Sequence, residues 1–167
     1  MNQGAFARIG AGPGEHPAAG TAPGNILQNN TRHGVAVTGN SHAHIFHNLI
    51  TGNDRGISVT SSGAATIDGN TISGNVSRGI SFSANGTGVL SSNGDHHDTG
   101  AGNDRPVVDP ENNIIQQNPI GVRCRLGGAV TGNPQDFGAG NPGTGDSPHA
   151  SDTNIFDCHI SSTLNFP

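Results

Sequence analysis

The chain has 167 residues, a formal net charge of −5 and a pI near 5.9; it carries 27 glycines, only 31% hydrophobic residues and no Trp, Tyr or Lys. All seven basic charges are arginines, spread along an acidic chain with few aromatics, which excludes a nucleic-acid surface of interleaved bases and rings. No run of about eighteen apolar residues occurs, so no transmembrane helix is expected.

Residues 1–24 are expected to form a partial first coil or cap followed by a Gly/Pro/Ala loop, GAGPGEHPAAGTAPG, from residue 10. The G-x-G in that loop opens no strand–helix unit and is not a nucleotide fingerprint. The first residues show no charged-then-apolar export signal.

From residue 25 a repeat begins. A glycine followed by an apolar residue recurs at Gly34-Val35, Gly56-Ile57 and Gly79-Ile80, 22 and 23 residues apart, and again at Gly121-Val122, 42 residues on, which leaves room for two coils. Two residues later comes Val37, Val59, Phe82 and Cys124. Ile45, Ile67 and Leu90 form a third column, and Asn48, Asn70 and Asn93 follow it at a fixed distance. Leu27, Ile50, Ile72 and Ile115 share another slot, and Asn30, Asn53, Asn75 and Asn118 a second asparagine column.

Alternation of side chains along a strand makes Ile57 and Val59 face one way and Ser58 and Thr60 the other. One coil of about 22 residues cannot bury its inner face alone, but coils stacked roughly 4.8 Å apart can. The asparagines are expected at turns, where the residue tolerates left-handed backbone, with their amides bonded up the stack. Helix formers are too scarce for a helical repeat, and five leucines are too few for a leucine-rich one. The fold class is therefore all-β, a β-solenoid. The pattern N-x-I-x-x-N-x-x-(x)-G-I-x-V at Asn48–Val59 and Asn70–Phe82 resembles the repeat of right-handed parallel β-helix proteins, the pectate-lyase-like superfamily. That resemblance covers residues 25–93 well and 112–125 in part; it implies a fold more than a function.

The coils are expected over residues 25–125, with a polar insert at 94–111 that is either one compact coil or a loop returning at Val107-Val108. Residues 126–167 read as a Gly/Pro-rich excursion and a closing coil in which IFDCHI, Ile155–Ile160, aligns with IFHNLI, Ile45–Ile50. That alignment puts Cys158 at a turn and Cys124 in an inward column, which disfavours a disulfide between them.

Four groups carry candidate chemistry. The residues before the glycines, His33, Arg55 and Arg78, would stack into a cationic ladder suited to uronate or sulfate, because the arginine fork holds a carboxylate at two points. Otherwise they mark a solvated turn. The cluster Asp95, His96, His97 and Asp98 offers metal ligands or an acid–base pair. It is similar to the Asp-Pro-His motif of alginate epimerases but lacks its proline, and the chain lacks the Tyr and Lys of those sites. Pectate-lyase-like enzymes use clustered acids for Ca²⁺ and a basic residue as proton abstractor; that resemblance would assign such parts to Asp95, Asp98, Asp104 and Arg105. His42, His44 and His47 are a third group, with His44 and Phe46 facing out. The fourth is a flat outer face of Ser58, Thr60, Ser81 and Ser83, with Ala36 and Thr38 beneath and Arg123 and Arg125 at its end.

The leading reading is a non-enzymatic extracellular or surface solenoid with a structural, assembly or filament-forming role, self-associating end to end and contacting polysaccharide. A polysaccharide lyase or epimerase module and a glycan-binding β-helix are the alternatives, and ice binding is a third. No cofactor is assigned beyond Ca²⁺ in the lyase reading.

Overall fold

The computed structural model describes residues 4–10, 24–91, 113–132, 155–156 and 159–160. Their strands form three parallel sheets, visited in the same order by each coil. Sheet A stacks β1 (Phe6–Ile9), β4 (His42–Phe46), β7 (Ala64–Asp68), β10 (Thr87–Ser91), β13 (Ala129–Gly132) and β15 (His159–Ile160). Sheet B stacks the short strands β2 (Ile26–Gln28), β5 (Leu49–Thr51), β8 (Thr71–Ser73) and β11 (Ile114–Gln116). Sheet C stacks β3 (His33–Thr38), β6 (Arg55–Thr60), β9 (Arg78–Ser83), β12 (Val122–Arg125) and β14 (Ile155–Phe156). This is a parallel β-helix.

The apolar columns meet inside it. Val35, Ile57, Ile80 and Val122 stack in one row, Val37, Val59, Phe82 and Cys124 in the next, and Ile50, Ile72 and Ile115 come from sheet B, all buried. Each fully buried Ile or Val contributes about 1.5–3 kcal/mol over an exposed one. The core adjusts locally where the row enlarges. Phe82 replaces the Val of the two preceding coils, and Gly88 stands on β10 where β4 and β7 have Ala43 and Ala65. A Cβ at Gly88 would lie 2.2 Å from Phe82 Cε1, so the missing methyl is the space the ring occupies.

Two asparagine ladders hold the corners. Asn25, Asn48, Asn70 and Asn113 run up the corner between sheets A and B; Asn30, Asn53, Asn75 and Asn118 run up the corner between B and C. At a typical rung, Asn53 Nδ2 donates to Asn75 Oδ1 at 3.1 Å and to the carbonyls of Leu27 and Thr51 at 3.0 and 3.1 Å. The left-handed residue at each corner is not the ladder asparagine but the residue before it: His47, Gly69, Asn29, Gly52, Gly74 and Gln117 all have φ between 55° and 67°. The ladder asparagine supplies the side chain, and its predecessor supplies the bend.

The spacing of 42 residues holds one coil, not two. Val122 pairs directly with Ile80, and Asn113 bonds Asn70. Residues 92–112 lie outside the described residues, and the ladder place expected for Asn93 belongs to Asn113. Ala129–Gly132 forms β13, so regular coil continues past the boundary expected at residue 125. The closing coil also has a different register: β14 pairs Ile155 with Val122 on sheet C, and β15 pairs Ile160 with Val130 on sheet A. Ile155 thus follows Ile80 and Val122, not Ile45. Cys124 is disulfide-bonded, contrary to the sequence expectation, and Cys158 is the chain's one other cysteine. The strands flanking Cys158 pair with β12 and β13 of the coil that carries Cys124; that placement removes the argument from separate columns. Cys158 itself lies outside the described residues.

Candidate functional site

The outer face of sheet C gathers most of the polar side chains singled out above. Strand pairing places His33 beside Arg55 and Arg55 beside Arg78, one coil apart, so the cationic ladder exists as a stack. The next coil presents Arg123 beside Ser81 and Arg125 beside Ser83. Arg32 precedes His33 at the start of β3. Arg32, Arg55, Arg78, Arg123 and Arg125, five of the chain's seven basic residues, thus lie on this sheet or at its entrance.

The ladder begins at the turn after sheet B, and backbone bonds there fix its pitch. Arg55 N donates to Arg32 O at 2.8 Å, and Ser77 N and Oγ both donate to Asp54 O at 2.8 Å. Glycine follows each ladder position because the corner is crowded: a Cβ on Gly56 would lie 2.6 Å from Gly79 O and 2.7 Å from Ile72 Cγ2.

Among the described residues, Asp54 is the acid beside this ladder. Arg55 Nε lies 3.6 Å from Asp54 Oδ2, with both side chains more than a third exposed, a weak surface pair. Burial, with repulsion from Arg55, Arg123 and Arg125, pushes the Arg78 guanidinium below the ordinary arginine range, and Asp54 offsets part of this. Burial and the charges of Arg55 and Arg32 likewise lower the His33 imidazole below its usual 6.5, against Asp54 and a backbone bond at Arg32. Among the described residues, Nε of Arg55, Nε of Arg78 and Nδ1 of His33 are buried without a hydrogen-bond partner.

The hydroxyl face differs from expectation. Ser58 and Ser81 point away from the apolar rows yet are only 4% and 3% exposed. Ser58 lies between Ala36 and Ser81 on the stack, and Arg123 stands on the next rung beside Ser81. Thr60 and Ser83 are half-buried, and Ser83 Oγ donates to Thr60 Oγ1 at 3.2 Å. The face is a row of sunken hydroxyls edged by guanidiniums, not a flat Ser/Thr plane.

Sheet A carries a second group that sequence reasoning resolved only in part. His42, His44 and Phe46 share its outer face, and β1 lays Phe6 against His42 and Arg8 beside His44. The Phe6 and His42 rings meet edge to face at 5.5 Å, His44 and Phe46 are 4.9 Å apart, and Arg8 Cζ lies 5.2 Å from the centre of the Phe46 ring. Phe46, expected outward, is outward but buried under this layer. The signal that finds β1 is the A-x-I of Ala7 and Ile9, which pairs with Ala43 and Ile45. His47 sits at the left-handed corner before Asn48.

The cluster Asp95, His96, His97 and Asp98, with Asp104 and Arg105, lies outside the described residues. Among the described residues no three His, Cys, Asp or Glu side chains stand close enough to hold a metal ion. Among the described residues no helix is long and apolar enough to cross a membrane.

A sequence model of the family described as periplasmic copper-binding protein (NosD) matches residues 16–102. Neither the curated proteins nor the solved structures contain a match to the chain.

Proposed function

The chain belongs to the NosD family, whose model spans just over half of it, and from that premise we propose that it is a non-enzymatic extracytoplasmic β-helix serving as a rigid scaffold for binding and assembly. The observation that carries this reading is the pair of asparagine ladders. Asn48, Asn53, Asn70, Asn75, Asn113 and Asn118 are all buried, and each bonds both to a neighbouring coil's asparagine and to backbone carbonyls. These amides are committed to stiffening the stack and are not free for chemistry. An oxidising compartment outside the cytoplasm suits a chain whose Cys124 is disulfide-bonded, and agrees with the periplasmic location in the family's description. What supports assembly is that the terminal strands of a parallel stack direct their backbone groups along its axis.

The test is incubation with pectin, alginate and glycosaminoglycans, followed by light scattering and electron microscopy of the protein. No ultraviolet-absorbing unsaturated sugar and a mass above the monomer are expected. Unsaturated products lost on Asp98→Asn would establish the lyase alternative instead, and a strict monomer at high concentration would remove assembly.

The metal in the family's description is copper, not the calcium that the lyase resemblance implied. The described residues do not fit copper. His42 and His44 are two imidazoles in an aromatic and cationic surround, and Cys124 has no thiolate to give. The sequence's candidate ligands His96 and His97 lie outside the described residues, and copper titration of the wild type against His96→Ala/His97→Ala tests whether they carry the metal.

A further inference from the structure

We propose that the disulfide at Cys124 is a redox latch on the closing coil. Oxidised, it holds β14 and β15 down on the stack; reduced, it lets them lift and bares the strand edges of the coil beneath. The latch itself rests on the fold, and its consequence for self-association rests on the assembly reading above.

Three observations carry it. The first is how short the pairing of the closing coil is among the described residues. β12 pairs four residues with β9 and β13 four with β10, whereas β14 pairs two with β12 and β15 two with β13. A segment with so few backbone partners opens locally at a small fraction of the free energy that unfolds the whole body.

The second is the place of the sulfur. Cys124 stands at 0% exposure in the inner row that Val37, Val59 and Phe82 fill in the coils below. Valine packs that row in two coils, so what cysteine adds is the bond. Cys158, the chain's one other cysteine, falls between β14 and β15 in the sequence. The bond therefore ties the core of one coil to the coil stacked on it.

The third is access. Thiol–disulfide exchange needs a thiolate in contact with a sulfur, and Cys124 is sealed from solvent. Attack on its Sγ follows opening of the closing coil. The seated coil shields the bond and the bond keeps the coil seated, so the latched state sustains itself until a reductant captures the open one. That reductant is a dithiol. One of its thiolates attacks a sulfur of the Cys124–Cys158 bond, that bond breaks, and the departing thiolate takes a proton. The dithiol's second thiolate then displaces the protein from the mixed disulfide, and the sulfur released takes a second proton. Two electrons and two protons pass to the protein, which ends with two thiols while the dithiol ends as a disulfide.

Release bares β12 at Val122–Arg123 and β13 at Ala129–Val130, where the closing coil paired. An unpaired parallel edge accepts another strand. The occupant is a second copy of this chain, whose own strands run in the same three parallel sheets.

Hydrogen–deuterium exchange of the whole chain, oxidised and then reduced with dithiothreitol, tests the latch. We expect the peptide Ile155–Ile160 to exchange roughly a hundredfold faster after reduction, the scale of a disulfide's closure entropy, while Arg55–Thr60 in β6 keeps its protection. Cys124→Val refills the row as Val59 does and should match the reduced wild type without any reductant. Unchanged exchange at Ile155–Ile160 overturns the proposal, as does protection that survives in Cys124→Val. An equal gain in β6 also overturns it, since the bond would then staple the whole fold. Light scattering on the same samples reads the consequence, a mass that rises on reduction. If neither sample exceeds the monomer, the assembly reading fails while the exchange data still decide the latch; if both assemble to the same mass, the bared edges are not the docking surface.

Discussion

Replacing Asn70 with alanine removes the best-connected rung of the A–B corner. Its Oδ1 accepts from Asn48 N and Asn48 Nδ2, each at 3.0 Å. Its Nδ2 donates to Ile45 O at 2.8 Å, Asp68 O at 2.9 Å and Asn113 Oδ1 at 3.2 Å. Asn70 is fully buried, so water does not replace these partners. The Asn48 N–H and the Ile45 carbonyl are the two backbone groups most directly deprived. At about 1–3 kcal/mol for each buried group left without a partner, the substitution costs about 2–6 kcal/mol. That is a large share of the roughly 5–15 kcal/mol that stabilises a typical domain.

The comparison that isolates the ladder is Asn25→Ala, at its exposed first rung, where Asn25 Nδ2 donates to Asn48 Oδ1 at 2.8 Å. Losing that one part-exposed bond costs about 1 kcal/mol or less. Urea unfolding followed by far-ultraviolet circular dichroism measures both variants, and the m-value reports whether the native body stays whole. Asn70→Asp refines the test. The carboxylate keeps the acceptor but loses the amide donor and buries a charge, so this variant regains stability as the pH falls and the carboxyl is protonated. If Asn70→Ala costs no more than Asn25→Ala, the ladder is not what holds the coils together, and the argument for a rigid scaffold fails with it.

Gly56→Ala brings a Cβ within 2.6 Å of Gly79 O; it should cost about 1–3 kcal/mol in thermal melting, and a neutral result would show that the corner yields. Gly88→Ala alone collides with the Phe82 ring, whereas Gly88→Ala with Phe82→Val rebuilds the Val59 and Ala65 pairing of the preceding coil. The double variant should be more stable than Gly88→Ala, and additive losses in a double-mutant cycle would refute the complementarity. Because the native state lowers the His33 pKa, folding disfavours the imidazolium. The resulting penalty is absent above the unfolded value of 6.5, grows as the pH falls through it and is complete below the folded value. His33→Gln should flatten the stability–pH curve in that window, and an unchanged slope would remove His33 as its source. Reduction with dithiothreitol should destabilise the protein by about 2–4 kcal/mol through loss of the Cys124 disulfide; an unmoved melting temperature counts against a bond that staples the closing coil.

The inner rows were readable because a solenoid writes its core at a fixed period. Ile57, Val59, Ile67 and Ile72 recur one coil from Ile80, Phe82, Leu90 and Ile115, and all eight are buried as the period requires. Counting by period fails once a segment leaves the stack. The 42 residues from Gly79 to Gly121 admit two coils by length, and the pairing of Val122 with Ile80 and the bond of Asn75 to Asn118 show that they hold one. The same limit misplaced IFDCHI: its letters fit IFHNLI, but the segment before it carries no column to fix the phase, and the strand pairs with β12. The left-handed corners escaped for another reason. Glycine, asparagine, histidine and glutamine all occupy that place, at Gly52, Asn29, His47 and Gln117, so no residue type marks it.

The ladder joins the two scales. Its existence was legible, because His33, Arg55 and Arg78 precede the glycines that set the coil. Its character was not, because charge on a strand face depends on the neighbours above and below. Arg123 and Arg125 look like the end of a serine row when the sequence is read along the chain; read up the stack, they crowd Arg78. A turn marker would need only a solvated cation, and Arg55 beside Asp54 meets that description. Arg78 meets it less well: burial and the charges of Arg55, Arg123 and Arg125 act together on its guanidinium, and Asp54 offsets part of them.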